Sequence, residues 1–343
     1  MVIKVPISNH TLYAFKTTTE RYVLIAWSSL ALLVNLVGNV IILLATVRYK
    51  AIKLDRVSVA LIKNIAISDI LMGLNTIFPI LVSLIADGWI FGDYLCSIQN
   101  FLKAPIFISA ELLICAMHIS KLMCLAFPLR SINRKKITGN YIAAAMWFIA
   151  CIIPAVQLYI DKDSVTFDYR LYRCHYVFRA PVWKWARPLL ITSIMVIPNF
   201  IVFATTIALL VFVRVKIGTV NLQGALTSLY VGVAYVLSFG PVAVNQSIII
   251  NLYPIMDVET RRFFFVVFAR FAFFITFLNG MSNVFIYMIS VNSFGEFVKK
   301  SILGKVRVKL RSLTQVFTSL GTGSVRGVSF NLKQRSEEHK VAD

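Results

Sequence analysis

Charge is what this sequence has least of: Asp, Glu, Lys and Arg make up only 15% of the 343 residues, against 58% hydrophobic residues, and the mean hydropathy is +0.78. A water-soluble domain of this length could not hide so much apolar surface, so a soluble globular protein is excluded and the chain is expected in a bilayer. Histidine is scarce too. The four present are scattered, and no cluster of His, Asp or Glu has the spacing of a metal or nucleophile site. Gly-rich phosphate loops are absent, so no enzyme is expected. No internal repeat with broken helices is found, which argues against a transporter. The first twenty residues are polar and mixed, so no cleavable signal peptide is expected and the first apolar span must direct insertion.

What the sequence does have is long apolar runs. A helix needs about 20 apolar residues to cross the hydrocarbon core. Uncharged stretches of that length lie between Arg21 and Arg48, Lys136 and Asp161, Arg187 and Arg214, Gln223 and Asp257, and Arg270 and Glu296. Two further spans carry isolated charges: residues 58 to 84 with Lys63 and Asp69, and residues 97 to 126 with Lys103, Glu111 and Lys121. The expected fold is an all-α membrane protein, a seven-transmembrane helix bundle over residues 22–292. Residues 1–21 form an extracellular N-terminus. After Tyr287, the apolar positions Phe294, Phe297, Val298 and Ile302 recur at helical spacing opposite Glu296, Lys299 and Lys300, which predicts a short amphipathic eighth helix over 293–303 lying in the interface. Residues 304–343 form a tail, first basic and set against anionic lipid, then rich in Ser, Thr and Gly and expected to be disordered. It has no cysteine for a palmitoyl anchor.

Lys and Arg set the orientation, because short cytoplasmic connections carry their excess. With the N-terminus outside, the inner connections hold Arg48, Lys50, Lys53 and Arg56, then Arg130, Arg134, Lys135 and Lys136, then Arg214 and Lys216, with almost no acid among them. Asp87, Asp93, Asp161, Asp163, Asp168, Asp257 and Glu259 fall on the outer side, together with Arg170, Arg173, Arg179, Lys184, Arg261 and Arg262. Asn9, in the sequon Asn9-His10-Thr11, is then a candidate glycosylation site. Of five cysteines, Cys115, Cys124 and Cys151 fall inside spans as ordinary packing. Cys96 and Cys174 lie on the oxidising side, and a disulfide between them is expected.

Residues 89 to 96 read WIFGDYLC, which resembles the W-x-F-G-x-x-x-C signature at the third helix of rhodopsin-like G protein-coupled receptors. Gly38-Asn39, Asp69 within IAISDI, Trp147, Pro198, Phe239-Gly240-Pro241 and Asn283 to Tyr287 are similar to that family's marks in order and helix, over about residues 22 to 303. The resemblance implies a plasma-membrane receptor with an extracellular ligand pocket and an inner cavity that engages a heterotrimeric G protein. It also implies a sodium ion near Asp69, Asn279 and Asn283, with Asn39 close by. Ala110 stands where the family offers a hydroxyl, and Glu111 is the candidate to compensate. No retinal is expected, since residues 271 to 290 contain no lysine for a Schiff base.

Two positions depart from the pattern. Ser120-Lys121-Leu122 occupies the place of D-R-Y, keeping a cation without the planar guanidinium fork and without the neighbouring acid, and Val284 stands where the family has proline. Lys121 and Tyr287 are the candidate switch residues toward the G protein; the bland alternative for Lys121 is a lysine snorkelling to the interface. Lys103, two turns beyond Cys96, sits where amine receptors carry aspartate, so an anionic ligand group is expected rather than an amine. Lys103, Phe107, Phe239 and Arg270 are the candidate ligand contacts. The alternative for Lys103 is an internal pair with Glu111 or an outer-loop acid. Expected partners are an extracellular ligand, a heterotrimeric G protein and membrane lipid, with no nucleic acid. The rival function is a receptor-like protein that binds a ligand or partner without activating a G protein.

Overall fold

The computed structural model describes residues 18–48, 54–127, 136–160, 165–176, 197–215, 222–252, 255–291 and 294–295, with isolated positions between 181 and 196. Seven helices are long and apolar enough to cross a membrane. They are α1 (Thr18–Arg48), α2 (Arg56–Ala86), α3 (Gly92–Ala126), α4 (Lys136–Ile160), α5 (Ile197–Val215), α6 (Leu222–Leu252) and α7 (Val258–Ser290). Their packing inverts that of a soluble protein. Phe148, Phe200, Leu237 and Ile289 are 64–79% exposed on the outside of the bundle, whereas Asn39, Ser68, His118 and Asn283 are fully buried. An apolar exterior around polar contacts is what lipid requires, because hydrocarbon offers no partner to a polar group. The chain is a multi-pass membrane protein.

Helix α3 is the hub, packing on α2, α4, α5 and α6, while α1 packs on α2 and α7 and closes the ring. Two features of α2 fix its place. Asp55 caps its start, accepting from Ser58 N at 2.9 Å and Ser58 Oγ at 2.8 Å. A π-helical turn over Gly73–Ile77, just ahead of Pro79, lets Asn75 Nδ2 donate to Gln99 O on α3 at 3.0 Å. Pro105, Pro154 and Pro241 lie inside α3, α4 and α6.

Between α4 and α5, strands β1 (Val165–Asp168) and β2 (Arg173–Tyr176) form an antiparallel hairpin with Phe167 opposite Cys174. The expected disulfide is present. Cys174 on β2 is bonded to Cys96 on α3, with Cα atoms 5.5 Å apart, and Val165 and Tyr176 pack around it with Trp89 and Phe167 alongside. A link closing so long a loop typically contributes about 2–4 kcal/mol.

Two helix boundaries differ from the sequence reading. Helix α1 begins at Thr18 rather than residue 22, because its charged first turn is anchored: Arg21 donates to Leu84 O at 2.7 Å and Ile85 O at 2.8 Å and pairs with Asp87. Helix α7 begins at Val258, capped by the Asp257 carboxylate, well before Arg270. Arg270 does not end the span, since its charge is met inside the bundle. The stretch 293–303, apart from Phe294 and Gly295, lies outside the described residues, as do Asn9 and the tail over 304–343.

Candidate functional site

The candidate residues fall at three levels of the bundle: the hairpin end, the middle and the far end.

At the hairpin end the Cys174 peptide is gripped from both sides by α3. Gln99 Oε1 accepts from Cys174 N at 3.2 Å, and Lys103 Nζ donates to Cys174 O at 2.6 Å and to Asn100 Oδ1 at 2.9 Å. Lys103 is therefore held by a carbonyl and an amide oxygen, not by Glu111. Beside it Asp168 takes Arg170 in a bidentate pair, at 2.9 and 2.8 Å. Burial works to raise the Asp168 carboxyl, but the Arg170 guanidinium, with the charge of Arg173 nearby, holds it below the usual carboxylate range. Burial pushes His175 down to about 4 against the pull of Asp168, so its imidazole is neutral at pH 7. The guanidinium of Arg170 lies 4.1 Å over the Phe265 ring and that of Arg173 4.2 Å over Phe273, tying the hairpin to α7. Arg270 donates to Glu20 Oε1 at 2.5 Å and to Arg170 O at 3.0 Å, so it joins α7 to α1 and to the hairpin. One turn beyond Lys103 on α3, Phe107 meets Phe239 edge to face at 5.0 Å, and Tyr235 lies 4.9 Å from Phe239.

In the middle, Asn283 Nδ2 donates to Asp69 Oδ2 at 3.1 Å. Asn39 Nδ2 donates to Asn35 Oδ1 at 2.8 Å, which turns its own Oδ1 away. Among the described residues the Oδ1 atoms of Asn39, Asn279 and Asn283 are buried without a hydrogen-bond partner. Ala110 brings no hydroxyl, and it is its neighbour Ser109 that faces α2, its hydroxyl 2.9 Å from that of Ser68. Glu111 turns to α6 instead, beside Tyr235.

At the far end Lys121 Nζ is ion-paired with the carboxylate of Asp55. Lys121 is only 11% exposed, which is not the posture of a snorkelling lysine. A Cβ added at Gly224 on α6 would lie 3.0 Å from Lys121 Nζ and 3.5 Å from Cε. The ammonium is thus enclosed between the cap of α2 and the first turn of α6. Tyr287 is fully buried, its ring 6.3 Å from that of Phe294. Asp55 was not singled out from sequence, although an acid three residues before Ser58 at the head of an apolar run carries a cap signal.

The profile of the 7 transmembrane receptor (rhodopsin family) matches residues 38–287. The chain belongs to that family. Among curated proteins it is similar to C-X-C chemokine receptor type 2 of Bos taurus, 26% identical over 168 residues, covering 49% of this chain and 45% of that receptor. C-X-C chemokine receptor type 1 of Macaca mulatta is 24% identical over 166 residues, 48% of this chain and 46% of the receptor. The type 1 receptor of Homo sapiens is 28% identical over 130 residues, 38% and 36%. The chain thus spans less than half the length of these relatives. The family is one of receptors rather than enzymes. Among the described residues no three His, Cys, Asp or Glu side chains are grouped to hold a metal.

Proposed function

We propose that this protein is a plasma-membrane receptor, N-terminus outside, that takes an extracellular ligand carrying negative charge at the hairpin end and couples to a heterotrimeric G protein at the far end. The family match over residues 38–287 carries this reading. Similarity to chemokine receptors supports the receptor class; at 24–28% identity over less than half their length it does not carry their ligand to this chain. For the ligand, the side-chain chemistry speaks for an anion, with Lys103, Phe107, Phe239 and Arg270 as the contacts first expected. Lys103 offers a cation whose bonded partners are neutral oxygens; Arg270 contributes through the wall it builds with Glu20.

Coupling would work through the contacts between α3 and α6. Ligand bound against Phe107 and Phe239 bears on α6 from the hairpin side, and outward movement of α6 carries Gly224 off Lys121 and opens the far end. Asp55 holds Lys121 in the resting arrangement. In lipid nanodiscs, the purified chain is expected to form a complex with a nucleotide-free heterotrimer of at least one G protein class. Failure with every class, at confirmed folding, would favour the rival reading, a receptor that binds without activating. The observation that gives the rival weight is the same pair, since a tightly held lysine is not free to meet a G protein.

Asp69, Asn279 and Asn283 are the residues that would hold a sodium ion, with Asn39 adding an oxygen. The fit rests on a buried carboxylate amid amide oxygens that lack partners, the ligand type a hard cation prefers. Sodium should raise the melting temperature of the purified chain relative to choline at equal ionic strength, and Asp69→Asn should abolish the difference. An equal response in both proteins would remove the site.

A further inference from the structure

We infer that Gln99, Asn100, Lys103 and Arg173 form a subsite for a single carboxylate group of the extracellular ligand. The inference rests on the receptor reading above and adds to it the chemical group and three residues not assigned to ligand before.

The disulfide and the Cys174 peptide act as the template. Because Gln99 Oε1 accepts from Cys174 N and Asn100 Oδ1 accepts from Lys103 Nζ, the orientation of both amides is settled: each oxygen is committed, and each NH2 group must point elsewhere. Gln99 Nε2 and Asn100 Nδ2 are both buried without an acceptor among the described residues, and so is Arg173 Nε on the adjoining residue of β2. The side chains of Gln99 and Asn100 belong to residues only 4% and 2% exposed. Lys103 adds a further donor, since an ammonium has three N–H groups and two are directed at Asn100 and Cys174. Lys103 and Arg173 are half-buried, which gives the cluster an accessible edge.

A group of buried donors lacking acceptors is a costly arrangement, and an incoming acceptor relieves it. The charge requires an anion. Arg170 is neutralised by Asp168 and Arg270 by Glu20. Lys103 bonds neutral oxygens and the Arg173 guanidinium lies over a neutral ring. Asp168, whose field reaches both cations, is already taken bidentately by Arg170. The donor count points to a carboxylate, whose two oxygens offer about four lone-pair sites to the four donor groups. The Phe107–Phe239 pair, one turn further along α3, provides an apolar surface for the body that bears the acid.

The discriminating variant is Asn100→Asp. It keeps an oxygen for Lys103, and so the fold, but replaces the NH2 donor by negative charge. Thermal unfolding of the purified full-length chain in nanodiscs would be followed with two sets of probes: straight-chain acids from acetate to hexanoate, and acetylated tripeptides with a free C-terminal carboxylate. The corresponding carboxamides and amidated tripeptides serve as neutral controls. At least one free acid should raise the melting temperature with saturation while its neutral counterpart does not, and the set that responds tells a free acid from a peptide terminus. Asn100→Asp should weaken that response on the order of tenfold to a hundredfold, with its own melting temperature no lower than the parent's. Arg173→Gln should weaken it as well. Stabilisation by no acid in either set, or an undiminished response in Asn100→Asp, would overturn the assignment and leave ordered water as the partner of these donors. Binding is read without any G protein, so a chain that binds acid and couples to no heterotrimer would retain the subsite and lose the signalling reading.

Discussion

Lys121 is held by an acid 66 positions earlier in the chain. That carboxylate has two duties, capping α2 through Ser58 and neutralising the ammonium of α3. Burial alone would raise the Asp55 carboxyl, but Lys121 and Ser58 together hold it below the ordinary carboxylate range. A lowered folded value means that the contribution to stability is present above the unfolded value of 3.8 and is lost as pH falls through the folded one. Exchanging the charges separates attraction from mere occupancy. Asp55→Lys and Lys121→Asp are each expected to lower the melting temperature of the purified chain, and the double exchange should recover part of both losses, a coupling of the kind contacting residues show. Additive losses in the double variant would mean that the two side chains do not act as a pair. The sequence made the lysine visible as an unusual charge in an apolar helix. It did not show the partner, because a salt bridge between elements leaves no periodic trace.

At the scale of elements, Val284 gains a reason. A Cβ at Gly38 would come within 2.5 Å of both Cγ atoms of Val284, so α1 and α7 approach each other by matching a missing side chain to a branched one. Gly38→Ala should therefore destabilise by about 1–3 kcal/mol through overpacking, and most of that loss should vanish in a Val284→Ala background. Equal destabilisation in both backgrounds would show that the cost does not come from Val284, and no loss in either would show that the α1–α7 contact is loose. The seven helices were legible because each needs only length and hydropathy. Their ends were less so: Arg270 read as a terminus, yet it lies inside α7 with its charge met by Glu20. The hairpin went unread because strands of four residues, Val165–Asp168 and Arg173–Tyr176, are too short to display an alternation. The π-helical turns of α2 and α7, at Gly73–Ile77 and Phe263–Phe268, likewise follow from local packing that no simple period encodes.

Across the whole molecule, contacts between α3 and α6 run from the hairpin end to the far end. From one end to the other, α3 presents Phe107 to Phe239, Glu111 to Tyr235, His118 to Gly232 and Lys121 to Gly224. The aromatic contact lies nearest the hairpin, and the ion pair with Asp55 closes the opposite end. Lys103, Phe107 and Phe239 stand out in the sequence as candidates because each is an anomaly of charge or aromaticity at a marked position. Gln99, Asn100 and Arg173 do not, since only the pairing of β2 with α3 brings them together. The most direct measurement is a panel of G protein activation sensors in cells, comparing the parent with Asp55→Asn at matched surface level and without ligand. Released from its carboxylate, Lys121 is expected to let α6 move, raising basal activation of at least one G protein severalfold over the parent. Activation at parental level throughout the panel, with the variant folded and at the surface, would contradict a receptor held at rest by this pair.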